Sequence, residues 1–318
     1  MNFTSLIMSV RSFDWRDIPA LIKYRHQSVF LDSALVLTRG PLMVPGSLLS
    51  YIAPNVGVQT SVAFSDESKY KLIGQSIHNS GSQFSHLTFL SPEAALESPV
   101  LPALFENLAK HSGERGALRL LAEVDEESLA FEMLRQSSFA IYSRQRIWRM
   151  NANANQEKPA NMWRMANSRD LIAIRSLYNN LVPGLVQQVE PYSTQNPQGL
   201  IYYQDGELLA YVEVKYGHQG IWAQPFVHPD AEDVALCLFN LMQNLPYRGS
   251  RPVYVCIRSY QSWLESAIQE LKAEPGPRQS VMVKHLAVAQ KAVKVFSLPA
   301  LEGGHPEVSA PMARSESK

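Results

Sequence analysis

Apolar and polar residues alternate with a period of two through "GLIYYQ" (199–204) and "ELLAYVEVKYG" (207–217), which predicts two half-buried strands. Asp205-Gly206 between them is a hairpin signal, because both residues tolerate a positive φ. A strand "GIWAQPFV" follows, and then "EDVALCLFNLMQNL" switches to the three-to-four-residue spacing of a helix. The strand "PVYVCIR", the helix "WLESAIQELK" and the strand "SVMVKHLAV" complete this half. Residues 58–150 run through the same series. The strands "VQTSVAF", "KLIGQSIHN" and "FSHLTFL" precede the helix "VLPALFENLAKHSG", the strand "ALRLLAEV" and the helix "EESLAFEMLRQS", and "AIYSRQRIWRM" closes the domain.

An antiparallel meander followed by strand–helix–strand–helix–strand, met twice, predicts a tandem α/β repeat. The two halves also begin alike. "RSFDWRDIPALIKY" from Arg11 can be laid on "RMANSRDLIAIRSLY" from Arg164 at a constant offset of 153 residues, which carries Arg16-Asp17 onto Arg169-Asp170. Between the halves, "NANANQEKPAN" (151–161) is polar, aperiodic and broken by a proline, as a linker would be. The expected organisation is therefore a domain over 1–150, a linker over 151–161 and a second domain over 162–290. Residues 291–318, poor in core residues, are expected to form a disordered tail. "VLTRGPLMVPGSLLSYI", apolar but interrupted by Pro and Gly, is expected to form loops packed over a cleft.

Charge and composition narrow the function classes. Lys plus Arg is 29 and Asp plus Glu is 29, so the bulk basic face that nucleic acid requires is not expected. The one dense basic run, "SRQRIWR" (143–149), places Arg144, Arg146 and Trp148 on one strand face and fits the protection of an edge strand. Cys237 and Cys256 lie inside apolar runs and read as buried free thiols. The eight histidines show no metal-ligand spacing, so no metal is expected; His78 and His86 could face each other across a hairpin as a solvated pair. No apolar run approaches the ~20 residues of a membrane span, and "MNFTSLIMSVRSFDWRD" lacks the features of a secretory signal. A cytoplasmic location, away from membranes, is the expectation.

At "GERGALRLLAEVDEESLAFEMLRQSSFAIYSRQRIWRM" the chain resembles the GNAT acetyltransferase superfamily, with Ser138-Phe139 where Gly-Phe is usual. The second half agrees in the order of its elements. The resemblance implies an α/β protein of two tandem GNAT-like domains, each a mixed, mostly antiparallel sheet flanked by helices. It also implies acetyl-CoA as cosubstrate, lying where two parallel strands splay apart. In the family its pyrophosphate sits on an Arg/Gln-x-x-Gly-x-Gly/Ala loop at the start of the next helix, where glycines allow close approach and free N–H groups meet the charge.

Neither loop carries that pattern. In "FVHPDAEDVALCLF" the corresponding positions hold Glu232, Ala235 and Cys237, and the carboxylates of Asp230, Glu232 and Asp233 repel a phosphate. Asp230 is expected to cap the helix and the other two to complement its dipole. In "LSPEAALESPVLPALF" the positions hold Ala95, Ser98 and Val100. If a CoA-like ligand binds, the first half is expected to hold it, through backbone groups of Phe89, Leu90 and Ser91 and the loop at Ser98 and Val100. Leu134 and Leu271 stand where the family places a Tyr acid, and leucine transfers no proton. Glu123 as base and Tyr260 as acid are the remaining catalytic candidates. Two functions survive: acetyl transfer to an amine by the first half beside a non-catalytic second half, or a catalytically inactive tandem protein that binds a small ligand or a protein partner.

Overall fold

The computed structural model describes residues 8–65, 70–150, 162–192 and 196–286; the expected linker and tail lie outside them. Each half opens with the same device. Strand β1 (Met8–Ser12) leads through a 3₁₀ turn into helix α1 (Ile18–Tyr24), and β8 (Arg164–Met165) leads likewise into α6 (Leu171–Leu181). Asp14 and Asn167 begin reciprocal capping boxes with Asp17 and Asp170. Arg11 then grips Asp17 with two hydrogen bonds of 2.6 and 2.8 Å, and Arg164 grips Asp170 at 2.8 and 2.6 Å. The repeat seen in the sequence is thus a repeated latch that fixes the entry of the first helix.

The first half continues with β2 (Val29–Phe30), α2 (Ser33–Arg39), α3 (Met43–Ile52), β3 (Val58–Ser65), β4 (Leu72–His78) and β5 (Phe84–Ser91). It then runs through α4 (Leu101–Glu114), β6 (Arg119–Asp125), α5 (Leu129–Gln136) and β7 (Ala140–Met150). The second half adds α7 (Gly184–Val189), β9 (Gly199–Gln204), β10 (Glu207–Tyr216), β11 (Ile221–Val227), α8 (Val234–Asn244), β12 (Val253–Arg258), α9 (Leu264–Glu270) and β13 (Glu274–His285). The β9–β10 turn has Asp205 at φ 51° and Gly206 at φ 85°, the positive pair its sequence requires. Ser138 takes φ 66°, the left-handed conformation that makes glycine usual at that position.

The apolar run expected to be loops forms two helices, α2 and α3, separated by Gly40, Pro41 and Leu42. Among the described residues no single helix is long and apolar enough to cross a membrane; α2 and α3 pass that test only taken together, across a bend of 106°.

All the strands join one sheet in the order β1-β3-β4-β5-β6-β13-β7-β12-β11-β10-β9-β8, with β2 paired to β5 off this path. One face carries α4, α5, α8 and α9 over two large aliphatic cores. The other carries α1, α3, α6 and α7 over more aromatic clusters. Helix α2 also lies on that second face, but it packs against β11 and β12 of the other half, through Ala34 and Leu37 on Trp222 and Tyr254.

The closing strands are exchanged. β13, the last strand of the second half, pairs antiparallel with β6 (Val281 opposite Glu123), and β7 pairs antiparallel with β12 (Gln145 opposite Arg258). β7 and β13 also pair with each other. Each half is completed by a strand from its neighbour, where the sequence led us to expect that each closes on its own. β7 therefore runs through the middle of the sheet, and the basic run is not edge protection. Arg144 bonds Glu126 at 2.7 Å, and Arg146 lies 5.1 Å over the Trp148 ring. His78 is likewise no solvated partner of His86. It is buried and faces Ser85 at 3.2 Å, and burial lowers its pKa below the ordinary histidine value.

Candidate functional site: two filled gaps and a shared cavity

In each half two parallel strands part after three residues in register. β5 and β6 pair from Phe84–Arg119 to His86–Leu121, and β11 and β12 from Ile221–Val253 to Ala223–Val255. Beyond these points the facing strand edges no longer pair with each other, and a ligand lying in the gap would use their backbone groups.

In the first half the chain fills its own gap. Val29 and Phe30 pair antiparallel with Leu90 and Phe89. Leu31 then spans the opening: its N–H donates to Thr88 O at 2.9 Å, and its carbonyl accepts from Glu123 N at 2.8 Å. The Ser91 hydroxyl accepts from Ser28 at 2.8 Å. The backbone edge at Phe89 and Leu90 expected to hold a cofactor is thus engaged by residues 29–31. Further along, Val100 is fully buried in the α4 core and presents nothing to a ligand. Ser98 is half-buried, its backbone used in the turn that precedes the helix, where its N–H meets Ala95 O and its carbonyl meets Leu101 N. Leu134 is packed in the same core.

In the second half a side chain does the equivalent work. Gln261, 2% exposed, accepts from Val227 N through Oε1 at 2.8 Å and donates from Nε2 to Pro225 O at 2.9 Å. Its carboxamide takes both groups that a strand-like ligand would pair with. At the start of α8, Asp233 sits at φ 47° without capping the helix through its side chain. Asp230 lies beside His228, its N–H donating to His228 Nδ1 at 3.3 Å, and does not make the cap expected of it.

Between the halves, on the face that carries α2, α6 and α7, lies a cavity of about 480 Å³. Glu123, expected as a base, is on its wall: Oε2 accepts from Ser33 N at 3.0 Å. Beside it Asp32 caps α2 by accepting from Leu35 N at 2.9 Å. From the second half come Glu213 and Lys215, two residues apart on β10 and so on one face, with 3.5 Å between their charged atoms. The Lys215 side chain is 55% accessible although it stands over the sheet, because it projects into this space. Glu213 above all, then Asp32, Glu123 and Glu190, raise its pKa above the ordinary lysine value.

The deep end is built around Arg258, at the end of β12 and 5% exposed. Its Nη2 lies 3.2 Å from both Glu190 oxygens, Tyr142 donates to Glu190 at 2.7 Å, and Tyr178 donates to the Glu190 carbonyl at 2.6 Å. Burial opposes both charges, but each stabilises the other: the Glu190 carboxyl is held below its usual range and the Arg258 guanidinium above its own. Arg258 still has Nε and Nη1 without a partner, and His86 Nδ1 on the same wall is also unpartnered. Tyr260, the expected acid, does not line this cavity. It packs among Tyr178, Tyr211 and Phe226, and burial raises its pKa above the ordinary tyrosine value. No group of three or more His, Cys, Asp or Glu among the described residues is placed to hold a metal.

The meander and the splayed parallel pair that follows it, met twice in one sheet, make up the GNAT fold. The solved structures that share it include a GCN5-related N-acetyltransferase from Sphaerobacter thermophilus, at 10% identity and TM-score 0.53, covering 87% of this chain and 95% of that one. A tandem GNAT protein from the clavulanic acid biosynthesis pathway aligns at 13% identity and TM-score 0.50, over 87% of this chain and 98% of its own. The glucosamine N-acetyltransferase region of a fungal multi-domain β-N-acetylglucosaminidase matches at 11% and 0.51, over 89% of this chain and 38% of that protein. No protein-family model matches the sequence, and no curated protein matches it. At these identities the likeness is one of fold.

Of the catalytic and cofactor-binding candidates read from sequence, Glu123 alone lines the shared cavity. Leu31, Gln261, Lys215, Glu190 and Arg258 were missed. One signal was present: "EVKY", "LLAEVD" and "VYVCIR" each carry charge toward the end of an otherwise apolar strand.

Proposed function

We propose that this chain is a small-ligand binding protein on a tandem GNAT scaffold, and that it does not use acetyl-CoA as a cosubstrate. The observation that carries this reading is the occupation of both strand gaps, by the Leu31 peptide in one half and the Gln261 carboxamide in the other. Acetyl-CoA would have to displace a strand segment or a buried amide and leave polar groups unpaired, in loops that also lack the glycines and carry acids. The shared cavity offers a ligand what the gaps do not: open volume, charges of both signs and unpartnered polar atoms from both halves.

Thermal denaturation with acetyl-CoA tests the reading, since a ligand specific to the native state raises the midpoint by mass action. No saturable rise is expected up to about 1 mM, roughly a thousandfold above a micromolar Kd. A saturable rise, or acetyl transfer to any amine in a panel, overturns it. In that case residues 29–31 leave the first gap, and the first half is the transferase.

A further inference from the structure

The ligand class follows from what the shared cavity leaves unpaired, and the argument rests on the reading that this cavity is the binding site. Its carboxylates are Asp32, Glu123, Glu190 and Glu213. Arg258 neutralises Glu190 and Lys215 neutralises Glu213. Asp32 and Glu123 have no ion-pair partner among the described residues. Each uses one oxygen at the first turn of α2 and keeps the other free. The remaining cation of the wall, Arg39, is exposed at the far end of α2. One side of the cavity therefore calls for positive charge.

The other side calls for an acceptor. Arg258 is buried beyond nine-tenths and has two nitrogens, Nε and Nη1, with no partner, which is costly for a guanidinium. Lys215, whose ammonium projects into the same space, has donors to spare. An anion alone would leave Asp32 and Glu123 without a counter-charge, and a cation alone would leave the Arg258 side unsatisfied. We infer that the cavity takes a small zwitterion of the amino-acid kind, its cationic nitrogen against Asp32 and Glu123 and its carboxylate against Lys215 and Arg258. Tyr178, Tyr192, Trp222 and Phe226 supply the wall for its apolar part.

The test uses the full chain. The twenty common amino acids are screened singly for a thermal shift up to about 10 mM. The strongest binder is then titrated calorimetrically beside its decarboxylated amine and its deaminated acid. Both analogues are expected to bind at least about tenfold more weakly, the scale of one lost charge-assisted hydrogen bond. Glu123→Gln, which keeps an acceptor for Ser33 N, should weaken the amino acid and the amine but not the acid. Lys215→Met, at an accessible side chain, should weaken the amino acid and the acid but not the amine.

An amine or acid that matches the amino acid overturns the inference, as does an affinity that neither variant alters, or silence from all twenty. The binding-protein reading survives the first of these if Lys215→Met or Glu123→Gln still changes the affinity. It fails separately, by saturable binding of acetyl-CoA.

Discussion

Replacing Gln261 with leucine removes the carboxamide that closes the second gap while nearly preserving its volume. Two buried backbone groups lose their partners, Val227 N–H and Pro225 C=O, bonded in the native protein at 2.8 and 2.9 Å. Each buried group left unsatisfied costs about 1–3 kcal/mol. The leucine side chain, more apolar than the amide it replaces, offsets about 1 kcal/mol. The expected net loss is about 3 kcal/mol, read as a lower urea midpoint at unchanged slope.

Gln261→Glu separates this cause from general damage to the core. The acid keeps the acceptor for Val227 N–H, but its second oxygen faces the Pro225 carbonyl and can donate to it only when protonated. Its pKa in the folded state is therefore raised, so its contribution is fully present below the unfolded value and is lost as pH rises through the folded one. This variant should approach the wild type near pH 4 and fall away toward pH 8. A leucine variant within about 1 kcal/mol of wild type, or a glutamate variant indifferent to pH, would refute the account of Gln261 as a buried peptide mimic.

Gly217 stands where a Cβ would lie 2.1 Å from the Thr38 carbonyl, so Gly217→Ala must push α2 away from the β10–β11 turn. We expect a loss of at least about 2 kcal/mol and faster hydrogen exchange across residues 33–39; unchanged exchange there would count against the docking described. Hydrogen bonds from Arg164 lower the Asp170 pKa, opposed by burial and aided by Asn167 N–H. Its stabilisation is thus present above the unfolded value of about 3.9 and is lost as pH falls through the folded one. Asp170→Asn should flatten the acid limb of the stability–pH curve, and an unaltered limb would show that the latch contributes nothing.

Local order was legible in the sequence because it depends on local chemistry. The strand "AIYSRQRIWRM", the turn at Asp205-Gly206 and the paired latches at Asp17 and Asp170 fall where the pattern places them. Pairing between distant strands was not legible. Alternation in β7 and β13 shows which residues face a core, but the same alternation serves whichever strand lies alongside. The plug at Leu31 was invisible for a related reason: "SVFLDS" is too short to show a period, and its partners Thr88 and Glu123 are far along the chain. Gln261 carries no motif, since any amide can imitate a peptide. The charged cavity escaped notice because Glu123, Lys215 and Arg258 come from three strands that only the completed sheet brings together.

The exchange of closing strands also sets an order of events during synthesis. β6 ends at Asp125, but β13, the strand that covers its open edge, ends at His285, about 160 residues later. At roughly 5–20 residues per second the ribosome needs roughly 8–30 s to make that stretch. Throughout that interval the first half is a nascent domain with an unpaired edge, open to a neighbouring chain on the same message. Any stop codon before residue 274 would leave that edge uncovered for good.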